Sequence, residues 1–227
     1  MLRRILPLAT LLLLATCAET PARQAPAKPD AQKSEKADAA QKREGAKRYA
    51  ELLGRLRRGD RSVDFTELRM AYTETEQYDP YGDSAARKAM FAAMNAGDWD
   101  EARKQSAKIL EKNYVDINGH LGAFVAAERE GDKQTALLHR YVFEGLIKSV
   151  QGGGDGRSME TAFVVISVDE EYALLNFLGL RRTRQGLLNG GGHSYDKLYA
   201  VDPGTNAKHE FYFQIDKPLG SLARGMK

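Results

Sequence analysis

The sequence predicts an α+β protein in which N-terminal helical hairpins pack with a small C-terminal antiparallel sheet. Between residues 46 and 150 apolar side chains recur at helical spacing, and Gly97-Asp98-Trp99-Asp100-Glu101-Ala102 returns in reduced form as Gly131-Asp132-Lys133-Gln134-Thr135-Ala136, 34 residues later. Residues 161 to 167 form a β-branched and aromatic run, TAFVVIS. From 208 to 215 the chain alternates, with His209, Phe211, Phe213 and Ile215 opposite Glu210, Tyr212, Gln214 and Asp216. That period of two belongs to a half-buried antiparallel strand.

Composition narrows the function classes. Of 227 residues, 42% are hydrophobic and 29% charged, so wholesale disorder is excluded. The formal charge of +3 includes Arg3 and Arg4, and falls to +1 without them, which argues against a basic nucleic-acid binder. A single cysteine excludes an internal disulfide framework and any multi-cysteine zinc site.

Residues 1 to 17 combine a basic start, an apolar run from Ile5 to Ala15 and then Thr16-Cys17, the layout of a secretory signal peptide. The run is too short to serve as a bilayer-spanning anchor, and Pro7 interrupts it. Leu14-Ala15-Thr16-Cys17 resembles the lipobox of bacterial lipoproteins, with Thr16 where that pattern prefers Gly, Ala or Ser. The resemblance implies cleavage before Cys17 and lipidation of its thiol. Ala18 rather than Asp after the cysteine implies an outer-membrane destination, facing the periplasm or the cell surface. The alternative is an ordinary cleaved leader and a soluble periplasmic or secreted protein. Residues 18 to 45 carry three prolines, balanced charges and no large apolar side chain, and read as a disordered tether.

The helical part runs from 46 to 150. Tyr49, Leu52, Leu53 and Leu56 form one apolar face before Gly59-Asp60 stops the run. Asp64 and Glu67 make a capping box, with Val63 and Leu68 at the flanking staple positions, so a second helix begins at Phe65. It ends before Tyr78-Asp79-Pro80-Tyr81. The repeated Gly-Asp pair then predicts one hairpin from 84–96 and 98–113 and another from 117–130 and 132–150. This pairing resembles the tetratricopeptide repeat, where Gly-Asp ends one helix and caps the next while a small alanine lets the two approach. The usual Trp-x-x-Leu-Gly of the first helix is missing. Two such units do not close a solenoid, so the flanking elements must cover its ends.

The β-rich part, 151–227, belongs to the same globular domain. After the strand at 161–167, Asp169 caps a helix with Glu170 and Glu171 in its first turn, Leu174, Leu175 and Leu178 on one face and Gly179 at the stop. Strands follow near 182–188, 194–201 and 208–215, joined by Gly190-Gly191-Gly192 and Asp202-Pro203-Gly204.

The succession Asp64-Phe65-Thr-Glu-Leu68-Arg69-Met-Ala-Tyr72, Tyr78-Asp79-Pro80-Tyr81, Gly154-Asp155-Gly156-Arg157-Ser158, Phe163-Val-Val-Ile-Ser, Glu170-Glu171-Tyr172 and Phe211-Tyr212-Phe213 resembles the bacterial family called domain of unknown function 4919. The resemblance spans about residues 46 to 216 and implies export in many members, but no activity.

The chemistry-bearing residues form no complete catalytic constellation. Gly152-Gly-Gly-Asp-Gly-Arg-Ser158 departs from a phosphate loop, because Arg157 stands where the spacing needs glycine and a strand follows. It reads as a joint between helix and sheet, with Asp155, Arg157 and Ser158 as an alternative polar site beside the junction. His120 and His139 lie on facing helices and are expected to approach one another, as a buried hydrogen-bonded pair or as half of a metal site. Glu170 and Glu171 are paired carboxylates that the first turn of a helix also favours on its own. Tyr78 and Tyr81, with Tyr72, surround Pro80 and suit a peptide or glycan contact, or serve as loop pegs. No catalytic residue, metal site or cofactor is assigned, and no nucleic-acid partner. The expectation is a non-enzymatic envelope lipoprotein that reaches the membrane through the lipid on Cys17 and binds an envelope protein or cell-wall ligand. The alternative is a hydrolase-type enzyme at the helix-sheet junction using Asp155, Ser158, Glu170, Glu171 and a histidine.

Overall fold

The computed structural model describes residues 29–225. The leader 1–17 with Cys17, and the first part of the spacer through residue 28, lie outside the described residues.

Helix α1 (Pro29–Arg57) begins well before the first expected helical position and takes in residues 29–45, which the sequence assigned to the tether. Lack of apolar side chains predicted a coil, but Ala, Lys, Glu and Gln are strong helix formers, and Pro29 is suited to a first helical position. The downstream turns, buried through Tyr49, Leu52 and Leu56, supply the nucleus from which the helix propagates. Gly45 is needed where α1 meets the end of the next helix, because a Cβ there would collide with Glu74.

Helix α2 (Phe65–Thr73) starts where its capping box predicted, with Asp64 Oδ1 accepting from the Thr66 and Glu67 amides at 2.7 and 3.1 Å. Two helical hairpins follow: α3 (Ser84–Ala96) with α4 (Trp99–Lys112), and α5 (Ile117–Glu130) with α6 (Lys133–Gln151). The repeated pair does the same work twice. Gly97 and Gly131 take left-handed φ values of 74° and 81°, and Asp98 and Asp132 cap α4 and α6.

The β-rich part departs from expectation in four respects, one of them that its sheet is mixed rather than antiparallel. Strand β1 is only Phe163–Val164, because Val165 and Ile166 turn into the core and Ile166 gives its amide to Glu170 Oε2 at 2.8 Å. The cap of α7 (Val168–Phe177) is Ser167 rather than Asp169, since Ser167 has the extended backbone from which its hydroxyl reaches the Glu170 amide; Asp169 lies in the first turn. A further helix, α8 (Asp216–Gly225), follows the last strand. Strands β2 (Arg181–Gly190), β3 (His193–Val201) and β4 (Lys208–Gln214) form the expected antiparallel meander. β1 adds to β4 in parallel, Phe163 opposite Phe213, so the sheet is mixed, in order β1-β4-β3-β2. One apolar core joins Leu52, Leu68 and Leu146 of the helices to Leu174 of α7 and Leu198 and Phe213 of the sheet. No helix among the described residues is long and apolar enough to cross a membrane.

Candidate binding cleft

Three connections converge at one end of the helices: residues 74–83 after α2, 113–116 between α4 and α5, and 165–167 before α7. The first two line a cleft of about 580 Å³, walled by Tyr72, Gln77, Asp79, Asp83, Lys112, Asn113 and Asp116. Beneath it a water-sized void of about 10 Å³ reaches Tyr78, Ile166, Asp169 and Glu170.

The tyrosine loop is stiff for identifiable reasons. Tyr78 donates its hydroxyl to the Ile166 carbonyl at 2.6 Å, and its ring stands edge-on to Tyr72 with centroids 5.5 Å apart. Tyr72 in turn donates to the Gln77 carbonyl at 3.2 Å. Asp79 Oδ1 accepts the Tyr81 amide at 3.0 Å, an Asx turn beside Pro80, and Gly82 follows with φ of 55°. Tyr72 and Tyr78 are therefore pegs that hold the loop, whereas Tyr81, 45% exposed, faces solvent.

Carboxylates dominate the electrostatics. Arg87, passing beneath Gly82, bridges Asp116 at 2.9 Å and Asp169 at 2.8 Å, and Lys112 pairs with Asp83 at 2.8 Å. Asp79 has no cationic partner among the described salt bridges. Burial holds the Asp169 carboxyl above its usual range; Arg87 opposes this, and nearby Asp116, Glu170 and Asp79 reinforce it. The Arg87 Nε is buried without a hydrogen-bond partner. Such a surface favours ligands that bring hydrogen-bond donors or positive charge. No histidine or cysteine lines the cleft.

The sequence-predicted residues fall into separate places. Tyr78 and Glu170 meet at the void under the cleft, but Glu170 is committed to Arg69. That arginine, fully buried, donates Nε to Glu170 Oε1 at 2.8 Å and Nη2 to Oε2 at 2.5 Å; it also reaches Ser149 Oγ at 3.2 Å and the Val164 carbonyl at 3.1 Å. One guanidinium thereby ties α2, α6, β1 and α7 together.

Glu171 faces the sheet instead. As a carboxylate neither of its buried oxygens has a partner; as an acid it donates to Asp196 of β3. Burial, then the charge of Asp196 and the hydrogen bond to it, push Glu171 up to about 9. Gln185 donates to Asp196 at 2.7 Å and accepts from Tyr172 and Arg182 at 3.2 and 3.1 Å, which covers the pair.

His120 and His139 do meet, Nδ1 to Nδ1, at 2.9 Å. His120 Nε2 donates to the Tyr114 carbonyl at 2.8 Å, so its Nδ1 accepts from the Nδ1–H of His139. No group of three metal-ligating side chains occurs among the described residues. Asp155 and Ser158 share the glycine-rich loop and use their hydrogen bonds within it: Asp155 accepts from Thr161 Oγ1 at 2.7 Å and the Arg157 amide at 3.0 Å, and Ser158 Oγ lies 3.3 Å from Thr161 Oγ1. Among the described residues no histidine hydrogen-bonds to Ser158 or to a glutamate.

Arg69, Arg87, Asp116 and Asp196 escaped the sequence reading. Arg69 left a signal, because it lies four residues after Phe65 and three before Tyr72, on the apolar face of α2. A cation at that position requires a buried anion.

A family model described as Domain of unknown function (DUF4919) matches residues 36–224. No curated protein and no solved structure matches the chain.

Proposed function

The chain belongs to the DUF4919 family, and from that premise we propose that it is an exported lipoprotein, attached to the outer membrane through the lipid on Cys17, whose folded body binds an envelope protein or cell-wall ligand without catalysing a reaction. The observation that supports binding is the cleft of about 580 Å³ with its carboxylate-rich wall of Asp79, Asp83 and Asp116, next to which exposed Tyr81 lies in the same stiff loop, between the lining residues Asp79 and Gly82. A ligand bearing amines or other donors suits it, and exposed Tyr81, next in the chain to Gly82 of the lining, offers an amphipathic side chain close by. The alternative hydrolase lacks support from geometry, since Asp155 and Ser158 bond within their own loop while Glu170 is held by Arg69.

Two experiments test the proposal. Cys17→Ser should abolish acyl labelling and move the protein from membrane to soluble fractions; unchanged fractionation defeats the anchor. A photo-crosslinking amino acid at position 81 of the full chain, activated in cells, should yield one reproducible adduct that an Asp79→Asn, Asp116→Asn variant loses. Equal crosslinking from the remote position 137 defeats the cleft as the binding site.

A further inference from the structure

The sheet ends on one side at β2, whose outer edge pairs with no other strand among the described residues. Ten residues long, this edge extends about 33 Å and presents backbone donors and acceptors along its length. Exposed strand edges are templates for further pairing, and folded proteins guard them with charges and bulges. β2 has both, but its charges are of one sign. Arg181, Arg182 and Arg184 are all exposed, and a bulge falls between Arg182 and Arg184.

These arginines are distributed around the edge. Arg182 lies over the Tyr172 ring on the α7 side, 4.9 Å from its centroid, and Arg184 over Tyr199 on the opposite face at 3.9 Å. Among the described residues none of the three pairs with a carboxylate, although the other arginines and lysines form many such pairs. The second half of the strand, Gly186 to Gly190, has no charge, and Leu187 is 60% exposed. A one-signed guard repels basic strands and disfavours in-register parallel pairing of two copies, while admitting a strand of the opposite sign.

We propose that β2 is a docking edge for an extended acidic peptide segment of a partner protein, which adds to the sheet as a fifth strand. Its carboxylates lie opposite Arg181, Arg182 and Arg184, and its apolar residues lie beside Leu187. Main-chain pairing supplies the register and the arginines supply selection by charge. This surface is separate from the cleft, so the proposal stands or falls independently of it.

The probe is a fluorescent peptide of about ten residues, the length of β2, with Glu at successive positions in one half, so that carboxylates reach the arginines on both faces, and Thr alternating with Val in the other. It should bind the full chain in mild detergent and slow deuterium uptake at the amides of residues 181–190. An Arg181→Gln, Arg182→Gln, Arg184→Gln variant with an unchanged thermal melt should bind about tenfold more weakly, the combined effect of three exposed charge pairs. The same peptide N-methylated at alternate residues keeps its charge but not its pairing, and should not bind. Absence of binding by the parent peptide overturns the proposal. So does equal binding of the N-methylated peptide, or binding to anionic lipid vesicles with no protection of β2, since either result shows attraction by charge alone.

Discussion

Replacing Glu171 with glutamine changes one buried proton and almost no volume. In the folded protein this carboxyl stays protonated at neutral pH, pushed up to about 9 by burial and by Asp196, whereas in the unfolded chain it ionises near its ordinary value of 4.5. An acid whose pKa rises on folding contributes stability below its unfolded value and loses that contribution as pH climbs towards the folded one. At about 1.4 kcal/mol per pH unit, ionisation of the unfolded chain costs the native state up to about 3 kcal/mol at pH 7. Glutamine keeps a donor for Asp196 and removes the titration. Glu171→Gln is therefore expected to stabilise the protein by about 1–3 kcal/mol at neutral pH and by almost nothing near pH 4.5. Urea unfolding at several values between about pH 5 and 8 measures the difference directly. The wild type should weaken across that window relative to the variant. A variant equally destabilised at every pH would refute the reasoning, because it would mean that Glu171 is charged and paired in the native state.

Other substitutions probe the rest of the framework. Arg69→Met strands the buried Glu170 carboxylate and should cost about 3–5 kcal/mol in chemical denaturation, with partial recovery in Arg69→Met, Glu170→Gln. His120 is held down to about 3 by burial and by His139, so its contribution is present above the ordinary histidine value of 6.5 and is lost as pH falls below it; thermal melts of His120→Gln should show a shallower acid limb than wild type. Gly122→Ala would drive a methyl group into Met90 and Ser106 and should lower stability by about 1–3 kcal/mol, measured by the urea midpoint.

Much of the helical half was legible because its signals are local. Asp64, Asp98 and Asp132 announce their helices by side-chain capping, and Gly97 and Gly131 announce their stops by a backbone conformation that suits glycine. The alternation at 208–215 likewise fixed which face of β4 is buried, ending in Phe213 and Ile215. What failed depends on partners distant in sequence. TAFVVIS reads as a long strand, yet Val165 makes its last bond to β4, and from Ile166 the chain leaves the sheet to meet Glu170 and the core. The cleft was only partly visible, for a similar reason. Tyr78 and Tyr81 were found by composition, but Asp116 and Arg87 are separated by 29 residues and become neighbours only when α3 packs beside α5. Glu170 and Glu171 show the point most sharply: adjacent in sequence, they turn to a guanidinium on one side and a second carboxyl on the other.

The early start of α1 changes the mechanics of whatever lies upstream. A continuous helix of 29 residues is about 43 Å long, and its last turns are locked into the body through Leu52 and Leu56. A pull or a torque applied at Pro29 is thus delivered to the folded mass as by a crank, not absorbed as by a slack leash. The heading of the cleft then follows the direction in which that shaft points.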